Sequence, residues 1–157
     1  MPTRLHTEII IAATPERVWH ELTDLRAYPD WNPFITSAHG RLTVGTRLAL
    51  RMRPQGGREL SIRPTVREAV PGRRLRWVGH LGVPGLFDGE HSFTIEPIDG
   101  DGDGVRLVHE ERFRGLLVPL FKRMLVRTTL PAFEAMNRAL KERAEHVRDR
   151  GASVPQA

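Results

Sequence analysis

Apolar and polar positions change period along this chain, and the changes mark its elements. Leu5 to Ala12 is rich in isoleucine and reads as a β-strand. At Thr14 the pattern turns helical: Thr14 suits an N-cap, Pro15 the first helical position and Glu16 the positive end of the helix. Val18, Leu22 and Leu25 recur at helical spacing, which predicts a short helix with one buried stripe. Pro29 and Pro33 end helical structure around an aromatic turn from Tyr28 to Phe34.

From Ile35 to Phe113 the pattern is short and alternating. Leu48, Leu50 and Met52 oppose Arg47, Arg51 and Arg53. Leu60, Ile62 and Val66 alternate with polar residues, and Pro64 interrupts them, as at an edge or bulge. Leu75 and Trp77 oppose Arg74 and Arg76, and 87–97 and 105–113 form the clearest strand pair. Gln55-Gly56-Gly57, Pro71-Gly72 and the run Asp99 to Gly104 are turn signals, and such short connections suit antiparallel hairpins. From Leu116 the period is helical again. Phe133, Met136, Leu140, Ala144 and Val147 form an apolar stripe, backed by Glu134, Arg138, Lys141, Glu142 and Glu145. Pro131 predicts a kink, or a restart capped by Thr129 or Leu130.

At 157 residues the chain is expected to be one domain over 1–150, with a disordered tail over 151–157. Without cysteine it has no disulfide, thiolate metal site or thiol nucleophile. Net charge is +5 and the pI about 10.8. The arginines are spread along the chain and interleaved with acids, which argues against a nucleic-acid interface. No stretch is apolar enough to span a membrane and no signal-peptide core is present, so the expectation is a cytoplasmic protein, monomeric or homodimeric, with no integral membrane association.

Two segments carry a resemblance. The first is Ala12-Ala13-Thr14-Pro15-Glu16-Arg17-Val18-Trp19 with Leu22-Thr23-Asp24 and then Tyr28-Pro29-Asp30-Trp31-Asn32-Pro33-Phe34. The second, looser, is Gly89-Glu90-His91-Ser92-Phe93 followed by Leu107 to Phe113 and a helix. Together they resemble the SRPBCC superfamily of START lipid-transfer domains, pollen-allergen-like proteins and polyketide cyclase/dehydrase-like proteins. The resemblance implies an α+β helix-grip fold. A curved antiparallel sheet of about seven strands would wrap a long C-terminal helix, with two short helices after the first strand and a cavity for a lipid, polyketide or aromatic metabolite. The superfamily has no universal catalytic set, and it includes co-chaperone relatives, so an interaction module without a physiological small ligand is the alternative.

A hairpin turning symmetrically about Asp99–Gly104 sets His91 opposite Glu111 and Phe93 opposite His109, all on the apolar face. Three readings stand for His91, His109 and Glu111. They form a general acid–base cluster for polyketide cyclase/dehydrase-like chemistry, or anchors for an apolar guest, or a paired interior cluster that stabilises the sheet. Their types also match a two-histidine, one-carboxylate metal site, but nothing in the spacing demands it, and neither metal nor cofactor is expected. The run Asp99 to Gly104 with Glu110 matches a calcium-loop pattern, but the flanks read as strands where helices are needed. Expected ligand contacts are Trp31, Phe34, Trp77, Phe87 and Phe93, with Phe113, Leu117, Phe121, Met124 and Phe133. The glycine-rich segment from Gly79 to Gly89 reads as a hairpin at the cavity rim, either a gate or a plain cover. Lys122, Arg123 and Arg127 beside the apolar run at 116–125 suggest contact with a membrane surface.

Overall fold

In a computed structural model of the protein, residues 3–98 and 104–151 are described, with side chains through His146. Strand β1 (Thr3–Ile11) leads into α1 (Pro15–Thr23). The Thr14 hydroxyl accepts from the Arg17 N–H at 3.2 Å, and Val18 and Leu22 are buried. A 3₁₀ turn (Leu25–Ala27) and α2 (Tyr28–Trp31) follow, and the Tyr28 hydroxyl donates to the Leu22 carbonyl at 2.7 Å. The remaining strands are β2 (Ile35–His39), β3 (Ala49–Met52), β4 (Leu60–Ile62), β5 (Thr65–Val70), β6 (Arg74–His80), β7 (Asp88–Pro97) and β8 (Val105–Arg114), closed by α3 (Val118–Gly151).

The strands pair antiparallel in the orders β1-β8-β7-β6-β5 and β2-β3-β4. Eight strands rather than about seven arise because the apolar run of 59–70 splits at Pro64, which has no N–H for a ladder. Its first half, β4, pairs β3, and its second half, β5, pairs β6. Residues 45–48 stitch the two groups together: Arg47 bridges Thr65, and the Leu48 N–H donates to the Pro64 carbonyl at 2.9 Å. Register shifts between Ile35 and Ser37 and between Val66 and Glu68 are bulges of the kind that bend a sheet.

Helix α3 packs on β1 and β8 and against α1 and α2. Phe133, Met136, Leu140 and Ala144 are buried as the periodicity predicts; Val147 lies beyond the described side chains. The expected restart at Pro131 does not occur, because α3 is one helix through that residue and extends to Gly151. Just before it, the Thr128 carbonyl accepts from the Gln55 N–H at 3.0 Å, tying the β3–β4 loop to the helix. Residues 99–103 and 152–157, where the acidic turn and most of the expected tail fall, lie outside the described residues, but the flanks of that turn, β7 and β8, are strands. The architecture is an α+β helix-grip: a curved antiparallel sheet around a long C-terminal helix.

Candidate ligand cavity and its buried polar chain

The site is built on β7 and β8. Their pairing sets His91 opposite Glu111 and Phe93 opposite His109, the register expected from a symmetric hairpin. Alternation turns all four inward, where they are buried, while Arg106, Arg112 and Arg114 are exposed on the outside.

A chain of polar groups links these strands to β1 and α3. The Nε2 atoms of His91 and His109 lie 2.8 Å apart, and His109 Nδ1 is 2.8 Å from Asn137 Oδ1. Asn137 Nδ2 donates to Thr7 Oγ1 at 2.9 Å, and Thr7 Oγ1 donates to the His109 carbonyl at 3.3 Å. The carbonyl can only accept, and with both rings neutral this sets the directions along the chain. The Thr7 hydrogen is spent on it, so Asn137 turns its amide to Thr7 and its oxygen to His109. His109 Nδ1 therefore carries hydrogen, its Nε2 accepts, and His91 Nε2 donates. His91 Nδ1 is left as a bare acceptor with no hydrogen-bond partner. Glu111 Oε2 faces it at 3.6 Å, just beyond hydrogen-bond range.

Burial governs the protonation of these groups. It drives His91 down to about 3 and, joined by the neighbouring His91, holds His109 well below the ordinary imidazole range. It pushes Glu111 up to about 8. At neutral pH both rings are neutral and the carboxyl is mostly protonated, because desolvation disfavours each charged form. An acid proton thus faces a lone pair. Gly89 makes room for it, since a Cβ there would lie 2.7 Å from Glu111 Oε1.

Aromatic rings hold the imidazoles in place. Trp77 stacks on His91 with centroids 5.0 Å apart, and Phe133 stacks on His109 at 3.9 Å. Phe93 packs against both histidines, and Phe34 lies 6.3 Å from His91.

Beside this cluster lies a cavity of about 140 Å³. Strands β6 and β8 contribute Trp77, Glu111 and Phe113, β3 and β4 contribute Met52, Leu60 and Ile62, and the turn before β2 contributes Phe34. Leu81 and Phe87 close it from the β6–β7 loop, and Met124, Leu125, Thr128 and Thr129 from α3. Of the three ionisable candidates only Glu111 reaches this wall; His91 and His109 lie behind it, covered by aromatic rings. Of the expected contacts, Phe34, Trp77, Phe87, Phe113 and Met124 line the cavity. Phe93 and Phe133 instead back the histidines. Phe121 sits outside on Phe87, Leu117 is half-buried at the start of α3, and Trp31 packs edge-on against Tyr28, away from the cavity. Among the described residues no group of three His, Cys, Asp or Glu side chains is arranged to hold a metal.

Sequence reasoning missed Asn137, Thr7, Thr128 and Thr129. Asn137 had a signal, because it is a polar residue between Met136 and Leu140 on the buried stripe. Thr7 sits in phase with Leu5 and Ile11 on β1, both buried.

Fold and site together define a helix-grip protein with an apolar cavity and a carboxyl in its wall. The chain belongs to the family described as polyketide cyclase/dehydrase and lipid transport, whose model matches residues 2–145. Solved structures share the fold. The Zhui aromatase/cyclase from Streptomyces sp. R1128 is 16% identical with a TM-score of 0.78, covering 98% of this chain and 100% of its own. A START superfamily protein from Mycobacterium smegmatis is 22% identical with a TM-score of 0.69, covering 92% and 98%. The di-domain aromatase/cyclase StfQ from the steffimycin biosynthetic pathway is 12% identical with a TM-score of 0.75 over 95% of this chain, which spans about half of that protein, 52%. A comparison with curated proteins finds no match. At these identities the likenesses establish the fold. No helix among the described residues is long and apolar enough to cross a membrane.

Proposed function

We propose that this protein binds a small hydrophobic molecule in the cavity between sheet and helix, with Glu111 anchoring a polar atom of the guest. The observation that carries this reading is an apolar cavity whose wall holds a buried carboxyl that no hydrogen bond uses among the described residues. Ligand sites generally combine an apolar lining with a few placed polar groups. The volume suits a single ring, being close to that of an engineered cavity of about 150 Å³ that takes benzene. A longer guest extends through the mouth past Leu81 and Met124. The test is native mass spectrometry of the purified protein for a retained ligand, then calorimetric titration with benzene, phenol, indole and 1-naphthol. Hydroxylated rings are expected to bind more tightly than benzene, and Glu111→Gln to narrow that difference. No retained ligand and no binding across the series would refute the reading.

The pairing of an acid proton on Glu111 with a lone pair on His91 favours a second reading, a polyketide cyclase/dehydrase-like activity. Glu111 would donate a proton to a carbonyl or departing hydroxyl oxygen of the guest, and the resulting carboxylate would take one from the adjacent carbon, with His91 as a reserve acceptor. Glu111→Ala that keeps binding and loses turnover supports catalysis; equal turnover in both proteins removes it.

A further inference from the structure

Leu81 and Phe87 line the cavity from the loop of residues 81–87 and Met124 and Leu125 from the opening of α3, and the outer surface of this rim of loop and helix start is apolar as well. Leu116 is 82% exposed, Leu120 76% and Val83 64%. Loop and helix form one surface. The Leu116 N–H donates to the Gly85 carbonyl at 3.2 Å, and the Leu117 N–H to the Leu86 carbonyl at 3.1 Å. Gly115, at φ 128°, permits this approach, because a Cβ there would lie 2.5 Å from the Leu86 oxygen. Single exposed leucines need no account, but a cluster on a cavity's rim does.

The charge on the helix side of this rim has one sign, while on the loop side the Asp88 carboxylate accepts from the Gly85 N–H and pairs with His80. From Arg112 to Phe133 the sequence holds Arg112, Arg114, Lys122, Arg123 and Arg127 and no acid. Lys122, Arg123 and Arg127 are exposed, and no ion pair engages them among the described residues. The first turn of α3 carries no acid either, so the positive helix end adds to the same field. Leu120, Arg123, Met124 and Arg127 follow i, i+3, i+4, i+7 and share one face.

We propose that this rim is a docking surface for an anionic lipid bilayer. Leu116, Leu120 and Val83 enter the headgroup boundary, and Arg123 and Arg127, on the face of Leu120, lay their stems along the apolar surface with their charges among the headgroups, while Lys122, on another side of α3, adds to the field. Charge selects the occupant: a second copy meeting this face symmetrically sets cation against cation, whereas an anionic bilayer complements both the charge and the leucines. Docking stands whether or not the cavity holds the ligand proposed above.

The experiment is flotation with vesicles of phosphatidylcholine alone and of phosphatidylcholine mixed about 7:3 with phosphatidylglycerol, at about 0.05 M and about 0.5 M salt. The protein is expected to float with the mixed vesicles at low salt and less at high salt. Leu116→Ser with Leu120→Ser lowers partitioning about tenfold. Lys122→Glu, Arg123→Glu and Arg127→Glu together lower it on the order of a hundredfold. None of these residues lines the cavity, so phenol titration and urea unfolding stay as in the parent protein, which separates failure of docking from failure of the cavity reading. No flotation with mixed vesicles at low salt overturns the proposal, as does flotation that both variants leave unchanged. A dimer that Leu116→Ser with Leu120→Ser dissolves, in a protein that ignores vesicles, also overturns it and assigns the face to a second copy.

Discussion

Glu110 and Glu111 are neighbours on β8, yet the two faces of the sheet treat them oppositely. Glu110 looks outward and accepts hydrogen bonds from Arg4 and from His6 Nδ1, the latter at 2.7 Å. Partial burial pushes its carboxyl up, but His6 and Arg4 outweigh that and hold it below the ordinary range. Glu111 looks inward, meets only a neutral imidazole, and burial alone raises it to about 8. The outer face continues as a ladder of pairs, Arg106 with Glu96 and Arg76 with Glu68 and Glu90. The inner face has a polar chain without a net charge. The outer ladder satisfies charge in water, where pairs contribute little. The inner chain places an uncompensated acid where a guest can meet it, as functional sites often do.

The largest effect is expected from Phe133→Ala, which strips the stack from His109 and the contact with Phe34. It costs about 3–5 kcal/mol in urea unfolding; a loss below about 1 kcal/mol would show that the inner face is not where stability resides. Glu111→Gln comes next. Between pH 4.5 and about 8 the folded protein keeps a proton that the unfolded chain has released, so wild-type stability falls with rising pH across that window. The variant removes this decline: it is expected to be the more stable protein at pH 9, with no gain below pH 4.5. Unfolding midpoints that run parallel for the two proteins from pH 4 to pH 9 would break the contrast.

Asn137→Leu leaves the His109 Nδ1–H and the Thr7 hydroxyl without their partner, for about 1–3 kcal/mol. Asn137→Asp keeps the shape but sets a carboxylate against that N–H, and NMR titration should then find His109 moved up toward the ordinary imidazole range. Glu110→Gln is the smallest, about 1 kcal/mol or less, since its pair is partly open to water. Its sign is opposite to that of Glu111. A lowered carboxyl contributes above its unfolded value and loses that contribution as the pH falls through its folded one, so the variant is weaker at neutral pH and equal to wild type in acid. Measured together, the Glu110 and Glu111 variants should give pH–stability differences of opposite sign.

Much of this site was legible along the chain. Alternation put His91, His109 and Glu111 on the apolar face, and the symmetric hairpin paired them correctly, because strand period and turn position are local properties. Pro64 announced an interruption, but not that the two halves would pair with different neighbours. The roles of Asn137 and Thr7 were out of reach, since each depends on where α3 sits relative to β1. The same docking decided that Phe34 and Phe133 cover the histidines while Glu111 stays at the cavity wall.

The sequence by itself determined the order of elements, the inward face of each strand and the three ionisable residues on it, since these follow from periods of two and 3.6 residues. Only the tertiary structure decided their protonation and their exposure to a guest. A carboxyl's proton affinity is set by the water and charge around it, and at Glu111 that surrounding is made by the sheet and α3 closing over it.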